Sequence, residues 1–194
     1  GHQSPNNDES KSKLKCYFKE SCKRMVLESA VMKERKHLVA GYVKNALLWK
    51  NRNPEEMIAY NRFYFEEQLA ARDNMELIDV YVDVTGHKET YKRPEMVRLL
   101  KDVTKGKVNM IYSRTSGYIA ANVNELCMLM AFLFEQDEMV DLYTEDTDYQ
   151  FDTINNPDNQ IEELRRMAYN YCILYRTQYE EWKAKLVERM ALLP

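Results

Sequence analysis

Along the chain, short apolar runs alternate with stretches whose apolar positions recur every three or four residues. Leu14, Tyr17, Phe18, Cys22, Met25, Val26 and Ala30 fall at the second spacing and predict a helix over about residues 10–36. Leu38–Lys44, with Gly41 inside it, reads as a strand. Asn53-Pro54-Glu55-Glu56 is a helix start, with a side-chain cap, a proline in the first turn and acids near the positive end of the dipole. That helix is expected to run to about Arg72. Glu76–Asp83 predicts a second strand closed by the turn Val84-Thr85-Gly86. Pro94 opens a helix through Met96, Leu99 and Leu100 to Val103, and Lys105-Gly106-Lys107 stops it. Val108–Ser113 predicts a third strand, and Asn122 caps a helix holding Leu126, Met128, Met130, Phe132 and Leu133. Val140–Tyr143 predicts a short fourth strand, and Asn156-Pro157-Asp158 begins a last helix ending near Met190.

Strands that alternate with helices predict a three-layer α/β fold: a mainly parallel sheet of about four or five strands with helices on both faces. Three regions follow: an N-terminal tail and extra helix (1–37), an α/β domain (38–157) and a long C-terminal helix (158–194). On that last helix Ile161, Leu164, Ala168, Tyr171, Tyr175, Tyr179, Trp182, Leu186 and Met190 form one stripe. A stripe of that length exceeds what a small domain needs to cover itself. It predicts a homodimer, with Tyr171, Tyr175, Tyr179, Trp182 and Leu186 at the contact.

Composition narrows the function classes. With 45% hydrophobic and 30% charged residues the chain is globular, and no apolar run reaches membrane-span length. Cys16, Cys22, Cys127 and Cys172 show no CxxC spacing and read as reduced, packed thiols of a cytoplasmic protein. Only three histidines occur, none at ligand spacing, so neither metal nor cofactor is expected. A net charge of −3 argues against a strong DNA grip, since DNA-binding domains are usually basic.

The most specific stretch is Tyr81-Val82-Asp83-Val84-Thr85-Gly86 followed by Arg93-Pro94-Glu95-Met96-Val97-Arg98-Leu99-Leu100-Lys101-Asp102-Val103. It resembles the strand, "D-x-x-S-G" turn and "R-P-x-x-x-x-L-L-x-D" helix of the serine recombinases, the resolvase/invertase family. Ala40-Gly41-Tyr42-Val43-Lys44 is similar to the family's first strand, "Y-x-R-x-S", and Val108–Tyr112 to the strand before "D-R-L-x-R". The resemblance covers about residues 38–190 and implies a domain of a site-specific DNA recombination system, as in mobile elements. It also implies a long helix that dimerises and lies along DNA, and a DNA-binding domain beyond residue 194.

Family chemistry needs a serine that attacks a DNA phosphate, and arginines that neutralise the phosphate oxygens in the transition state. Tyr42 matches the family tyrosine, but the first arginine falls on Lys44 and the serine on Ala46. The "D-R-L-x-R" positions fall on Gly117, Tyr118 and Ala121, and the helix glutamine on Arg62. Thr85 stands in the turn serine's place, and Arg93 alone keeps its arginine. Lys44 and Arg93 are therefore the candidate DNA-phosphate contacts. The resemblance implies a catalytically inactive recombinase-like domain, a structural or regulatory partner that binds DNA weakly at most. Two alternatives stay open: an active recombinase with a rebuilt site that uses Ser113 or Ser116, and an unrelated α/β interaction module.

Overall fold

The computed structural model describes residues 36–146 and 158–194. The helix expected over residues 10–36 and the Asn156-Pro157 helix start lie outside the described residues. Among the described residues there are four strands: β1 (His37–Asn45), β2 (Met75–Val84), β3 (Met110–Ser113) and β4 (Asp141–Thr144). They form one sheet in the order β2-β1-β3-β4, with every pairing parallel. Between and after them come α1 (Pro54–Leu69), α2 (Pro94–Thr104), the single turn α3 (Ser116–Ile119), α4 (Val123–Phe134), α5 (Asp158–Leu174) and α6 (Arg176–Ala191).

The local signals act as the sequence predicts. The Asn53 side chain accepts from the Glu55 and Glu56 amides, and the Asn122 side chain from the Glu125 amide. Gly106 ends α2 at a φ of 73°, where its amide donates to the Val103 carbonyl.

Alternation along the strands sorts side chains into two cores. Val39, Val43, Val80 and Met110 face Phe65 and Leu69 of α1. Ala40, Tyr42, Tyr81 and Ile111 face the other way, into the larger core closed by α2, α4, α5 and α6. This is the expected three-layer α/β arrangement. Gly41 is required where α1 crosses β1, because a Cβ there would lie 2.5 Å from the Phe65 ring. Phe65 is fully buried and has no room to retreat. Gly41→Ala should therefore lower stability by about 1–3 kcal/mol. Urea unfolding checks this, and an unchanged midpoint would contradict the close approach.

The single C-terminal helix is corrected to two. The chain breaks at Tyr175, with φ −117° and ψ 44°, between α5 and α6. Packing explains the break: α5 lies along α4, whereas α6 packs on α2 and on the turn Thr90–Lys92. One straight helix cannot follow both surfaces. The apolar stripe turns inward with the chain, so Ile161, Ala168, Cys172, Tyr179, Trp182, Leu186 and Met190 all lie in this chain's own core. Tyr179 and Trp182 stack on each other, and Trp182 meets Phe132 edge-on. Tyr171 is half-buried, and only Tyr175 of the expected contact residues is exposed. Tyr179, Trp182 and Leu186 are thus covered by this chain, and the stripe is long because it covers two surfaces of one core.

Cys127 and Cys172 are free and buried. Burial pushes their thiols up to about 11 and about 12 respectively, which keeps both protonated at neutral pH.

Candidate functional site

The resemblance directs attention to the carboxyl end of the sheet, and the first side chain built there is Asp83, at the end of β2. It caps α2 from a distance: the Glu95 amide donates to Oδ1 at 2.9 Å, and the Met96 amide to Oδ2 at 3.0 Å. The residue just before that helix is Arg93, whose side chain makes no cap, so Asp83 serves the orphaned amides instead. The Tyr42 hydroxyl, on β1, also donates to Asp83 Oδ2, at 2.8 Å. This triangle fixes β1, β2 and α2 relative to one another.

Arg93 sits behind Tyr42 and is 1% exposed. Its Nη1 donates to the Tyr118 carbonyl at 2.8 Å and to the Tyr42 hydroxyl at 3.2 Å. Its Nη2 donates to the Ile119 carbonyl at 2.8 Å and to the Thr90 hydroxyl at 3.1 Å. Burial above all, then the Asp83 carboxylate against the opposing pull of Arg93, pushes the Tyr42 hydroxyl far above its ordinary value. It stays protonated and bridges the two charges. Arg93 therefore ties α3 to the sheet and does not face solvent. Burial argues against the expected DNA-phosphate contact: both terminal nitrogens are committed to two carbonyls and two hydroxyls, and Nε, which has no partner, is itself buried.

A second buried acid extends this network. Glu125, in the first turn of α4, accepts at Oε2 from the Thr90 amide at 3.1 Å, the Thr90 hydroxyl at 2.9 Å and the Trp182 indole at 3.1 Å. Nothing in the sequence pattern singled Glu125 out; its only local sign was its place three residues after the Asn122 cap.

The other positions that resemble the family's site, Arg62 excepted, lie at or after the carboxyl ends of β1, β2 and β3. The Thr85 amide donates to the Asn45 carbonyl at 3.0 Å, which joins the ends of β2 and β1 beside Ala46. The Thr85 hydroxyl accepts from the His87 amide, a side-chain turn. Lys44 is partly exposed; burial, then repulsion from Arg93, lowers its pKa, with Asp83 acting the other way. Gly117 and Ala121 flank Tyr118 and are exposed. A Cβ at Gly117 would meet only the Thr115 hydroxyl, at 3.7 Å, so space does not forbid a side chain there.

Neither alternative serine is poised to attack. Ser113 is fully buried, and its hydroxyl donates to the Tyr42 carbonyl at 2.7 Å. Ser116 donates through both its amide and its hydroxyl to Asp146 Oδ2, which anchors the start of α3. Arg62, at the family glutamine position, points to the far edge and pairs with Asp79 at 3.1 Å.

Beside this cluster lies a crevice of about 500 Å³, which the sequence reading did not find. Val43 and Asn45 of β1 form one side, Arg114 and Tyr118 after β3 another, and Trp49, Arg52, Met57, Tyr60 and Asn61 close it. Its place is explained by topology. The chain passes from β1 to β2 on one side and returns to β3 on the other, so the loops after β1 and β3 diverge. Open α/β sheets bind ligands in such crevices, at the carboxyl ends of strands where the order reverses. The signal available in the sequence was Trp49 and Arg52 close behind the first strand, but strand order is needed to bring Arg114 and Tyr118 beside them. Among the described residues no group of three metal-ligating side chains occurs, and no helix is long and apolar enough to cross a membrane. No protein-family model matches the sequence, and no curated protein matches it.

Proposed function

We propose that this chain is a resolvase-like domain that does not cut DNA and acts as a structural or regulatory partner in a DNA recombination system. The reading rests on the stretch from Tyr81 to Val103 and on what its residues do. Asp83 and Arg93 hold strand, turn and helix together, so the motif keeps an architectural role where the chemistry is missing. The single observation that carries the reading is the end of β1. Ala46 stands at the position that resembles the nucleophile's, and Ser113, the hydroxyl that ends β3, is buried and bonded to a carbonyl. Lys44, at the position that resembles the first arginine, is only partly exposed and is a point charge without the planar fork that grips phosphate.

The test is a DNA substrate, nicked so that any covalent intermediate is trapped, incubated with the full chain and run on a denaturing gel. No protein–DNA adduct is expected. Retention of the same DNA should be weak and should vanish as salt is raised, because the acidic chain offers few counterion-releasing contacts. A protease-sensitive adduct that Ser113→Ala or Ser116→Ala abolishes would establish the rebuilt recombinase in its place.

A further inference from the structure

The crevice between the loops after β1 and β3 has a lining unlike the rest of the surface. It contains two arginines, Arg52 and Arg114, against one acid, Glu56, in a chain whose net charge is −3. Among the described residues neither arginine has a carboxylate partner within ion-pair distance; each lies on a ring instead. Arg52 is 4.7 Å from the centre of Trp49, and Arg114 is 4.3 Å from the centre of Tyr64. Stacking orients a guanidinium while leaving its edge donors free. The aromatic walls are Trp49, Tyr60 and Tyr118, and Tyr60 is 64% exposed.

Two amides complete the lining. Asn61 is 6% exposed, and its nitrogen donates to the Met57 carbonyl at 2.8 Å. Its oxygen has no hydrogen-bond partner among the described residues and borders the crevice. That oxygen is open to solvent at the crevice wall, where it can accept a hydrogen bond from a ligand. Asn45 likewise has only a long contact from its amide nitrogen to the Met57 sulfur, at 3.8 Å.

We propose that this crevice binds a nucleoside monophosphate. The base lies against Tyr60 and Tyr118, Asn61 and Asn45 meet its polar edge, and the phosphate takes the edge donors of Arg52 and Arg114. The volume suits a small molecule. One phosphate is the limit because no backbone cradle is present. The first amides of α1 are already bonded to Asn53, and the one glycine with positive φ among the described residues, Gly106, lies after α2 and outside the crevice. The inference stands apart from the recombination reading, since it uses neither Ala46 nor Lys44 and its test involves no DNA cleavage.

Titration calorimetry on the full chain tests it, with AMP, UMP, adenosine, inorganic phosphate and a ten-residue oligothymidylate as probes. AMP or UMP should bind saturably at one site, and adenosine and phosphate should each bind about tenfold or more weakly. Arg114→Gln and Arg52→Gln should each weaken the monophosphate by about tenfold, and Tyr60→Ala by about fivefold or more. The thermal midpoints should not change, since all three side chains are on the surface. Arg166→Gln, on the exposed face of α5, should leave binding unchanged. Three results would overturn the proposal: no heat from either monophosphate at about 5 mM, undiminished binding in the Arg52→Gln/Arg114→Gln double variant, or binding of the oligonucleotide without binding of the monophosphates.

Discussion

Arg93→Leu should lower the unfolding free energy by about 3–5 kcal/mol, the largest loss expected from one surface-distant polar residue in this chain. Leucine fills much of the volume but leaves the Tyr118 and Ile119 carbonyls and the Thr90 hydroxyl without their donor in a dry interior. It also leaves the Asp83 carboxylate without the positive charge behind Tyr42. For a domain of this length the thermal midpoint should fall by about 10 °C. Arg93→Lys should recover only part of the loss, because one ammonium cannot reach four acceptors spread around a planar fork. A double-mutant cycle with Asp83→Asn separates packing from charge: coupling of about 1 kcal/mol or more is expected, since Tyr42 joins the two groups. A loss below about 1 kcal/mol for Arg93→Leu would mean that the guanidinium is not the tie between α3 and the sheet.

Ala46→Ser should yield no covalent DNA adduct, although it restores the hydroxyl at the matched strand end. Each missing donor around a developing anionic transition state typically costs about a hundredfold or more. On the proposed reading, Tyr118 and Ala121 stand where the family has two arginines, and the third, Arg93, donates inward to backbone carbonyls. Lys44 would face the phosphate alone, and burial together with repulsion from Arg93 already disfavours its charge. The measurement is the trapping gel with the variant at high protein concentration. An adduct from Ala46→Ser alone would show that the phosphate clamp is supplied from elsewhere, and would sink the reading of a site whose loss is complete.

Much of the fold is legible along the chain because its signals are local. Four apolar runs became four strands within about two residues of their expected limits. The helix limits are set by side chains that act on their own neighbours: Asn53 and Asn122 as caps, Pro94 in a first turn, Gly106 as the left-handed stop. Parallel pairing also followed from order alone, because a helix lies between each strand and the next.

For the residues that resemble the family's, the sequence did not reveal what each side chain contacts. Arg93 in sequence is a charge before a helix, and a phosphate contact or a structural tie looks the same there. Only the packing of α3 across the strand ends buries it and turns its donors to Tyr118 and Ile119. The C-terminal stripe was equally blind to its target. Periodicity reveals that a face is apolar, not whether one surface or two will cover it, and the break at Tyr175 comes from α4 and α2 lying at different places on the core.

By itself the sequence determined the four strands, the helices between them and the parallel α/β class, because propensity, capping and period act over a few residues. The tertiary structure alone decided the strand order, and with it the crevice. Asn45 and Arg114 are far apart in the chain and meet because β3 returns to the free side of β1. Whether Arg93 faces solvent or core, and whether the last stripe meets a partner or its own chain, likewise depend on which surfaces come together. Long-range burial settles such questions, and no local pattern encodes it.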